Sequence, residues 1–189
     1  LTLVLSGIIV GSFMDSILAT IKYIADHREK LADIVFWIMG SMAGIQMDEV
    51  LVSTLINIIP FIVLLFMGWK INVVSLGLEE AQSLGVNYKR DRLIIIACST
   101  LLTANCVSIS GNVGWIGLVI PHIARAFVGD DTRMATPVAA VAGGLFLMSV
   151  DVLSRIISVN EIPISIITGF IGAIIYTIVL AKRGRYLND

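Results

Sequence analysis

Five stretches of this chain, roughly 1–25, 48–69, 92–110, 135–155 and 162–181, meet or approach the run of about 20 mostly apolar residues that a helix needs to cross a bilayer. Backbone in hydrocarbon finds no water to bond, so such segments satisfy their own N–H and C=O groups by forming helices. Composition points the same way. Of 189 residues, 57% are hydrophobic and 14% charged, against about 45–50% and about 25% in soluble domains. The mean hydropathy is +0.95. The fold class read from these facts is all-α, a polytopic transmembrane helix bundle. A net charge of −1 with no basic stripe gives no sign of a nucleic-acid partner.

Two shorter apolar stretches, 31–44 and 113–128, have three open readings: interfacial, re-entrant or half-length helices. Polar connections occupy 22–33, 70–92, 129–133 and the tail from 182. No soluble domain or internal repeat interrupts them, so 1–189 reads as a single transmembrane domain containing one long polar loop, 70–92. Basic residues set its orientation. With the tail inside and 113–128 as a crossing, the cytoplasmic side holds Lys70, Lys89, Arg90, Arg92, Arg125, Arg133, Lys182, Arg183 and Arg185, and the outer side Lys22, Arg28, Lys30 and Arg155. The expected topology is six crossings with a cytoplasmic C-terminus in a cell membrane, and 31–44 as an outer-surface helix.

The chain starts at Leu1 within an apolar run. With no basic n-region or small-residue cleavage site, the expectation is that no signal peptide is present and that sequence is missing upstream. Cys98 and Cys106 are eight residues apart, about 12 Å on a helix, which is too far for a disulfide. Gly7 and Gly11 form a GxxxG spacing, and Gly143, Gly144, Gly169 and Gly172 recur later; helix packing is the simplest reading, a path-lining face the other. Asp15 is the most deeply placed acid. A mid-bilayer carboxylate costs about 2.5–3.5 kcal/mol, so Asp15 either faces a cavity or partner helix, or lies near the wet outer end.

His122 has only His27 as another histidine in the chain, and no Cys–His–carboxylate cluster has metal-ligand spacing. GxSxG, HExxH and GxxxxGK[ST] are all absent. Neither an intramembrane hydrolase nor a nucleotide hydrolase is expected, and no cofactor is expected on this chain. The loop NVVSLGLEEAQSLGVNYKRDR reads as a short amphipathic helix over 78–84, with a break at Gly85 and a basic run behind it. Glu79 and Glu80 suit a positive helix N-terminus. Such a helix is either a solvated turn or an element that docks on a partner.

Several ordered motifs then resemble one family, the iron-chelate and vitamin B12 permeases of ABC importers (FecCD-type subunits). Leu76-Gly77, Glu80-Ala81 and Leu84-Gly85 are similar to its LG…A…LG cytoplasmic loop. Gly111-x-x-Gly114-Trp115-Ile116-Gly117-Leu118-x-x-Pro121-His122-x-x-Arg125 resembles its GxxGFxGLxxPHxxR signature. Asp151, Arg155, Glu161-Ile162-Pro163, Thr168 and Gly172 are similar to D…R…ELPxGxxTxxxG, and Phe36-Trp37-x-Met39-Gly40-Ser41-x-x-Gly44 to FWxMGSxxG. Trp115, Ile162, Ser165 and Ile174 depart from the family's Phe, Leu, Gly and Pro. The likeness runs along nearly the whole chain and covers the last six of the family's ten crossings.

The resemblance implies a type II importer permease that carries a ferric siderophore, haem or cobalamin by alternating access. Its partners would be a second permease subunit, an ABC ATPase subunit hydrolysing ATP-Mg, and an extracytoplasmic substrate-binding protein. It also implies roles: ATPase docking for Leu76, Gly77, Glu79, Glu80, Ala81, Leu84 and Gly85; binding-protein docking for Arg155 and Glu161; path lining for Gly7, Gly11 and Asp15. Gly114, Gly117, Pro121, His122, Arg125 and Pro163 read as a structural signature. A channel, a structural membrane protein, or an ABC permease for another metal or metal chelate is the alternative.

Overall fold

The computed structural model describes residues 2–26, 30–157 and 162–185, with side chains described from residue 4 to residue 177 of that set. These residues are helical apart from short connections, and no strand occurs among them. They fall into two units, Leu1–Ile38 and Met39–Asp189. The first unit holds α1 (Thr2–Ile24) and α2 (Lys30–Ile38). In α1 the hydroxyls of Ser16 and Thr20 donate to the carbonyls of Ser12 and Ser16, each at 2.8 Å. These bonds satisfy polar side chains within an apolar helix. The nine residues of α2 reach only about 14 Å and cannot span a bilayer.

The second unit contains α3 (Met47–Phe66), α4 (Gly68–Leu76), α5 (Leu78–Ser83), α6 (Tyr88–Ser110), α7 (Ile116–Val128), α8 (Thr132–Ile157) and α9 (Ile164–Arg185). Two antiparallel pairs dominate it, α3 with α6 and α7 with α8. Short polar contacts stitch the first pair. Asn105 Nδ2 donates to Ser53 Oγ at 2.9 Å and to the Ser53 carbonyl at 3.1 Å. Such bonds are an ordinary means of holding helices together in lipid, where burial of apolar surface gives no drive.

Four helices among the described residues are long and apolar enough to cross a membrane, in the ranges Val4–Ile24, Met47–Phe66, Tyr88–Ser110 and Thr132–Ile157. The other two expected crossings are present as apolar helices but are shorter over their described residues, Ile116–Val128 and Ile164–Thr177. At 13 residues, α7 rises about 20 Å, less than a hydrocarbon core of about 30 Å. A non-helical stretch from Gly111 to Trp115 precedes it. Trp115 adopts a left-handed conformation (φ +66°) and caps α7.

A joint around Met39–Ser41 ties the end of α6 to the start of α9. The first N–H groups of α9, on Ile164 and Ser165, bond the carbonyls of Gly40 and Met39 at 2.9 and 3.2 Å. Ser41 N–H bonds the Ser110 carbonyl at 3.0 Å. Gly40 has φ +75°, and a Cβ there would lie 2.9 Å from the Asn112 carbonyl oxygen. Only glycine meets both demands. The end of α8 closes the same region, where Ser154 Oγ donates to the Ile162 carbonyl at 2.6 Å.

One difference from the sequence reading concerns 70–92. The second membrane-length helix, α3, stops at Phe66, Met67 (φ −83°, ψ 2°) breaks it, and a separate helix, α4, occupies Gly68–Leu76. What reads as the front of a polar loop is thus helix. Its mix of Lys70, Asn72 and Ser75 with valines conceals it, because Lys70 and Asn72 bind neighbouring helices and Ser75 bonds back to the Asn72 carbonyl.

Candidate functional site

Large apolar side chains cover the outside of the bundle, while the cluster of fully buried apolar residues lies at α4 and α5. It consists of Val73, Ala81 and Val86, with Val74 and Tyr88 packed against it. Gly77 (φ +122°, ψ 180°) separates α4 from α5, a conformation that only glycine adopts without strain. The Glu80 carboxylate folds back over this turn, its Oε2 3.0 Å from where a Cβ on Gly77 would be. Acids in the first turn of α5, Glu79 and Glu80, also match the positive end of the helix.

The other end of α5 is a Schellman motif. Val86 N–H bonds the Ala81 carbonyl at 2.9 Å, Gly85 N–H bonds the Gln82 carbonyl at 3.0 Å, and Gly85 has φ +75°. The apolar contact that accompanies such a motif is here Val86 with Ala81. The expected docking residues therefore divide by role. Ala81, fully buried, holds α5 against Val73 of α4. Leu76, Leu78 and Leu84 are 59%, 44% and 53% exposed, and Glu79 and Glu80 are exposed beside them. Gly77 and Gly85 set the two turns. A shallow depression of about 440 Å³ adjoins the helix, lined by Gln82, Gly85, Val86, Asn87, Tyr88 and Lys89.

Three further contacts fasten α4 to the membrane helices. Lys70 Nζ lies 3.0 Å from Asp91 Oδ1 in the first turn of α6, and Asp91 is buried. The Asn72 amide donates from Nδ2 to Asp131 Oδ1 at 2.7 Å and accepts from Thr132 N–H through Oδ1 at 3.0 Å. Gly68 lets α4 approach the start of α8, for a Cβ there would come 2.9 Å from Arg133 Cγ and 3.1 Å from Arg133 Cα. Asp131 also accepts from Arg133 N–H at 3.0 Å, and Arg133 Nε lies 3.3 Å from its Oδ2. The Arg133 backbone N–H, then the Asn72 amide, hold the Asp131 carboxyl below its ordinary range, outweighing the small desolvation.

Lys70, Asn72, Asp91 and Asp131 escaped the sequence reading as site residues. Asp131 before Thr132 is a legible helix cap. Its pairing with Asn72 has no sequence signal.

The remaining expected residues lie elsewhere. Arg155, near the far end of α8, pairs with Asp151 one turn earlier, Nε to Oδ2 at 3.0 Å and Nη2 to Oδ1 at 3.2 Å. Its guanidinium stays half-exposed. Glu161, expected beside it, lies outside the described residues, as do the side chains of Lys182, Arg183 and Arg185. Gly7, Gly11 and Asp15 are on α1 of the first unit, and no side chain of that unit comes within 4 Å of a Cβ placed on either glycine. His122 and Arg125 are exposed on α7, while Pro121 and Pro163 are half-buried. Gly114 and Gly117 have open space around them. No group of three metal-ligating side chains converges among the described residues.

Comparison with known proteins agrees with this architecture. The model of the FecCD transport family matches residues 1–182. The molybdate import system permease protein MolB of Haemophilus influenzae is 37% identical over 98% of this chain and 55% of its own length. The hemin transport system permease protein HmuU of Yersinia pestis is 33% identical over 90% of this chain and 51% of its own. The cobalamin import system permease protein BtuC of Halobacterium salinarum is 32% identical over 96% and 48%. A solved structure of an inward-facing metal-chelate type ABC transporter superposes with a TM-score of 0.92 at 37% identity, covering 95% of this chain and 58% of that one. The chain spans about half the length of the curated relatives it matches. With four apolar membrane-length helices and a family match along nearly all of its length, this multi-pass membrane protein belongs to the FecCD transport family of ABC permeases.

Proposed function

We propose that this chain forms part of the translocation path of an ATP-driven importer, with α5 as the helix that receives a cytoplasmic ATPase subunit. The observation that carries the reading is the two-sided build of α5. Its buried side, Ala81, is packed on α4, while Leu78, Glu79 and Glu80 of α5, flanked by Leu76 and Leu84, are offered to a partner. Exposed leucines beside acids suit a protein groove with apolar walls and a basic rim. ATP-Mg binds and is hydrolysed on that partner, not on this chain.

A second permease subunit completes the path, and an extracytoplasmic binding protein delivers cargo to the outer face. Arg155, together with Glu161, is the contact for that protein, and Gly7, Gly11 and Asp15 line the path. The C-terminus and the α4–α5 segment are cytoplasmic, in keeping with nine of thirteen basic residues falling on that side. Gly114, Gly117, Pro121, His122, Arg125 and Pro163 shape α7 and the joint before α9. The cargo is a metal oxyanion or a metal chelate, the span covered by the related molybdate, haem and cobalamin permeases.

Co-purification of the full-length permease with its ATPase, followed by uptake into sealed vesicles, tests this reading. ATP-dependent uptake is expected from the wild-type assembly, and Glu80→Arg or Gly85→Val should separate ATP hydrolysis from uptake. Failure of the permease to retain any ATPase subunit overturns the docking role of α5.

A further inference from the structure

The α4 helix sits between the proposed docking helix and two membrane helices, and each of its contacts is different in kind. Toward α5 it offers an apolar contact, Val73 against Ala81 and Val86. Toward α6 it offers an ion pair, Lys70 with Asp91. Toward α8 it offers a two-point amide contact, in which Asn72 both donates to the Asp131 carboxylate and accepts from the Thr132 backbone. Asp131 and Thr132 are the cap and first residue of α8, so this contact grips the helix at its end. From there α8 runs 26 residues, about 39 Å, to the Asp151–Arg155 pair near its other end.

From this geometry we infer that Asn72 and Asp131 form a positioning clasp, through which displacement of the docking helix α5 is passed by α4 to the end of α8. The inference rests on the transport reading above and adds the residues that carry the motion. Two features make the clasp a joint rather than ordinary packing. The amide fixes both distance and direction, since donor and acceptor engage two successive residues of α8 at once. Gly68 then removes the side chain that would hold α4 away from Arg133, so the helices meet at backbone distance. Apolar contacts alone slide. A paired amide with one charged partner does not slide without losing both bonds, and hydrogen bonds to charged groups are the stronger class.

The chemistry of the clasp allows an exchange test. Asn72→Asp alone sets two carboxylates against each other across a 2.7 Å contact. Adding Asp131→Asn restores it in reversed polarity. The amide now at 131 donates to the carboxylate at 72 and that carboxylate still accepts from Thr132 N–H, at the cost of the Arg133 N–H bond, which in the wild-type shares Asp131 Oδ1 with Asn72. A residue that served only stability would change the amount of assembled complex and leave the transport yield per ATP untouched.

The experiment compares wild-type, Asn72→Asp, and the exchanged double variant in the full-length permease assembled with its ATPase and binding protein in proteoliposomes. Cargo carried per ATP hydrolysed is the readout, with assembled complex quantified in parallel. Asn72→Asp is expected to lower cargo per ATP about tenfold, the scale of a single coupling interaction, and the exchange is expected to recover most of it. Unchanged cargo per ATP in Asn72→Asp, or a loss of uptake that follows loss of assembled complex, overturns the clasp while the transport reading stands. An exchanged variant as poorly coupled as Asn72→Asp also overturns it. Absence of ATP-driven uptake by the wild-type assembly overturns the transport reading itself, and the clasp with it.

Discussion

Trp115 and Gly172 are in direct backbone-range contact: a Cβ on Gly172 would overlap the Trp115 Cβ and lie 2.9 Å from its Cγ. The indole then reaches along α9 to Tyr176, with ring centroids 5.9 Å apart and planes tilted by 56°. A left-handed residue at the head of α7 and a missing side chain on α9 thus form one fitted contact.

Gly172→Ala is therefore expected to destabilise the bundle by about 1–3 kcal/mol, the range for overpacking a tight site. The thermal unfolding midpoint of the detergent-solubilised protein reads this. Because Trp115 supplies the obstructing atoms, Gly172→Ala introduced on a Trp115→Ala background is expected to cost clearly less than on wild-type. Equal costs in the two backgrounds would show that the contact is not the cause.

Breaking the Lys70–Asp91 pair from one side leaves a buried carboxylate without its ammonium. Lys70 is itself 44% exposed on its side chain, so solvent screens part of the loss, and Lys70→Met is expected to cost about 1 kcal/mol. Adding Asp91→Leu removes the stranded charge. The double variant should unfold at a higher temperature than Lys70→Met alone, since apolar replacement of a whole pair is often neutral or better. A double variant less stable than the single one would argue that Asp91 has another partner.

Asp131 titrates below its ordinary value of 3.8 because the Arg133 backbone N–H, the Asn72 amide and the nearby guanidinium favour its charged form. The carboxylate's contribution to stability is thus present above pH 3.8, and it is lost as pH falls through the lower folded value. An isotope-edited infrared or NMR titration of the carboxyl is expected to give a midpoint under 3.8. Asn72→Ala should move that midpoint upward. A wild-type midpoint at or above 3.8 contradicts the hydrogen-bonded geometry.

Sequence alone determined that the chain is a membrane helix bundle. Apolar runs near the length of a bilayer leave the backbone no other way to bond itself, and no tertiary contact is needed to see this. The short helix α5 was equally legible, since Gly85 ends it and its acids mark its start. Those signals are local: a positive φ or a first-turn charge depends on residues within four positions of each other. The separate existence of α4 was decided elsewhere. Helix α4 mixes Lys70, Asn72 and Ser75 with apolar residues and reads as loop until Asp91 and Asp131, from α6 and the start of α8, are brought beside Lys70 and Asn72. Trp115 reads as a simple aromatic substitution until α9 places Gly172 against it. These contacts join residues 21 to 59 positions apart. No periodicity encodes such distances, so only the packing of helices in three dimensions makes Lys70 and Asn72 the fastening of α4 to α6 and to the start of α8.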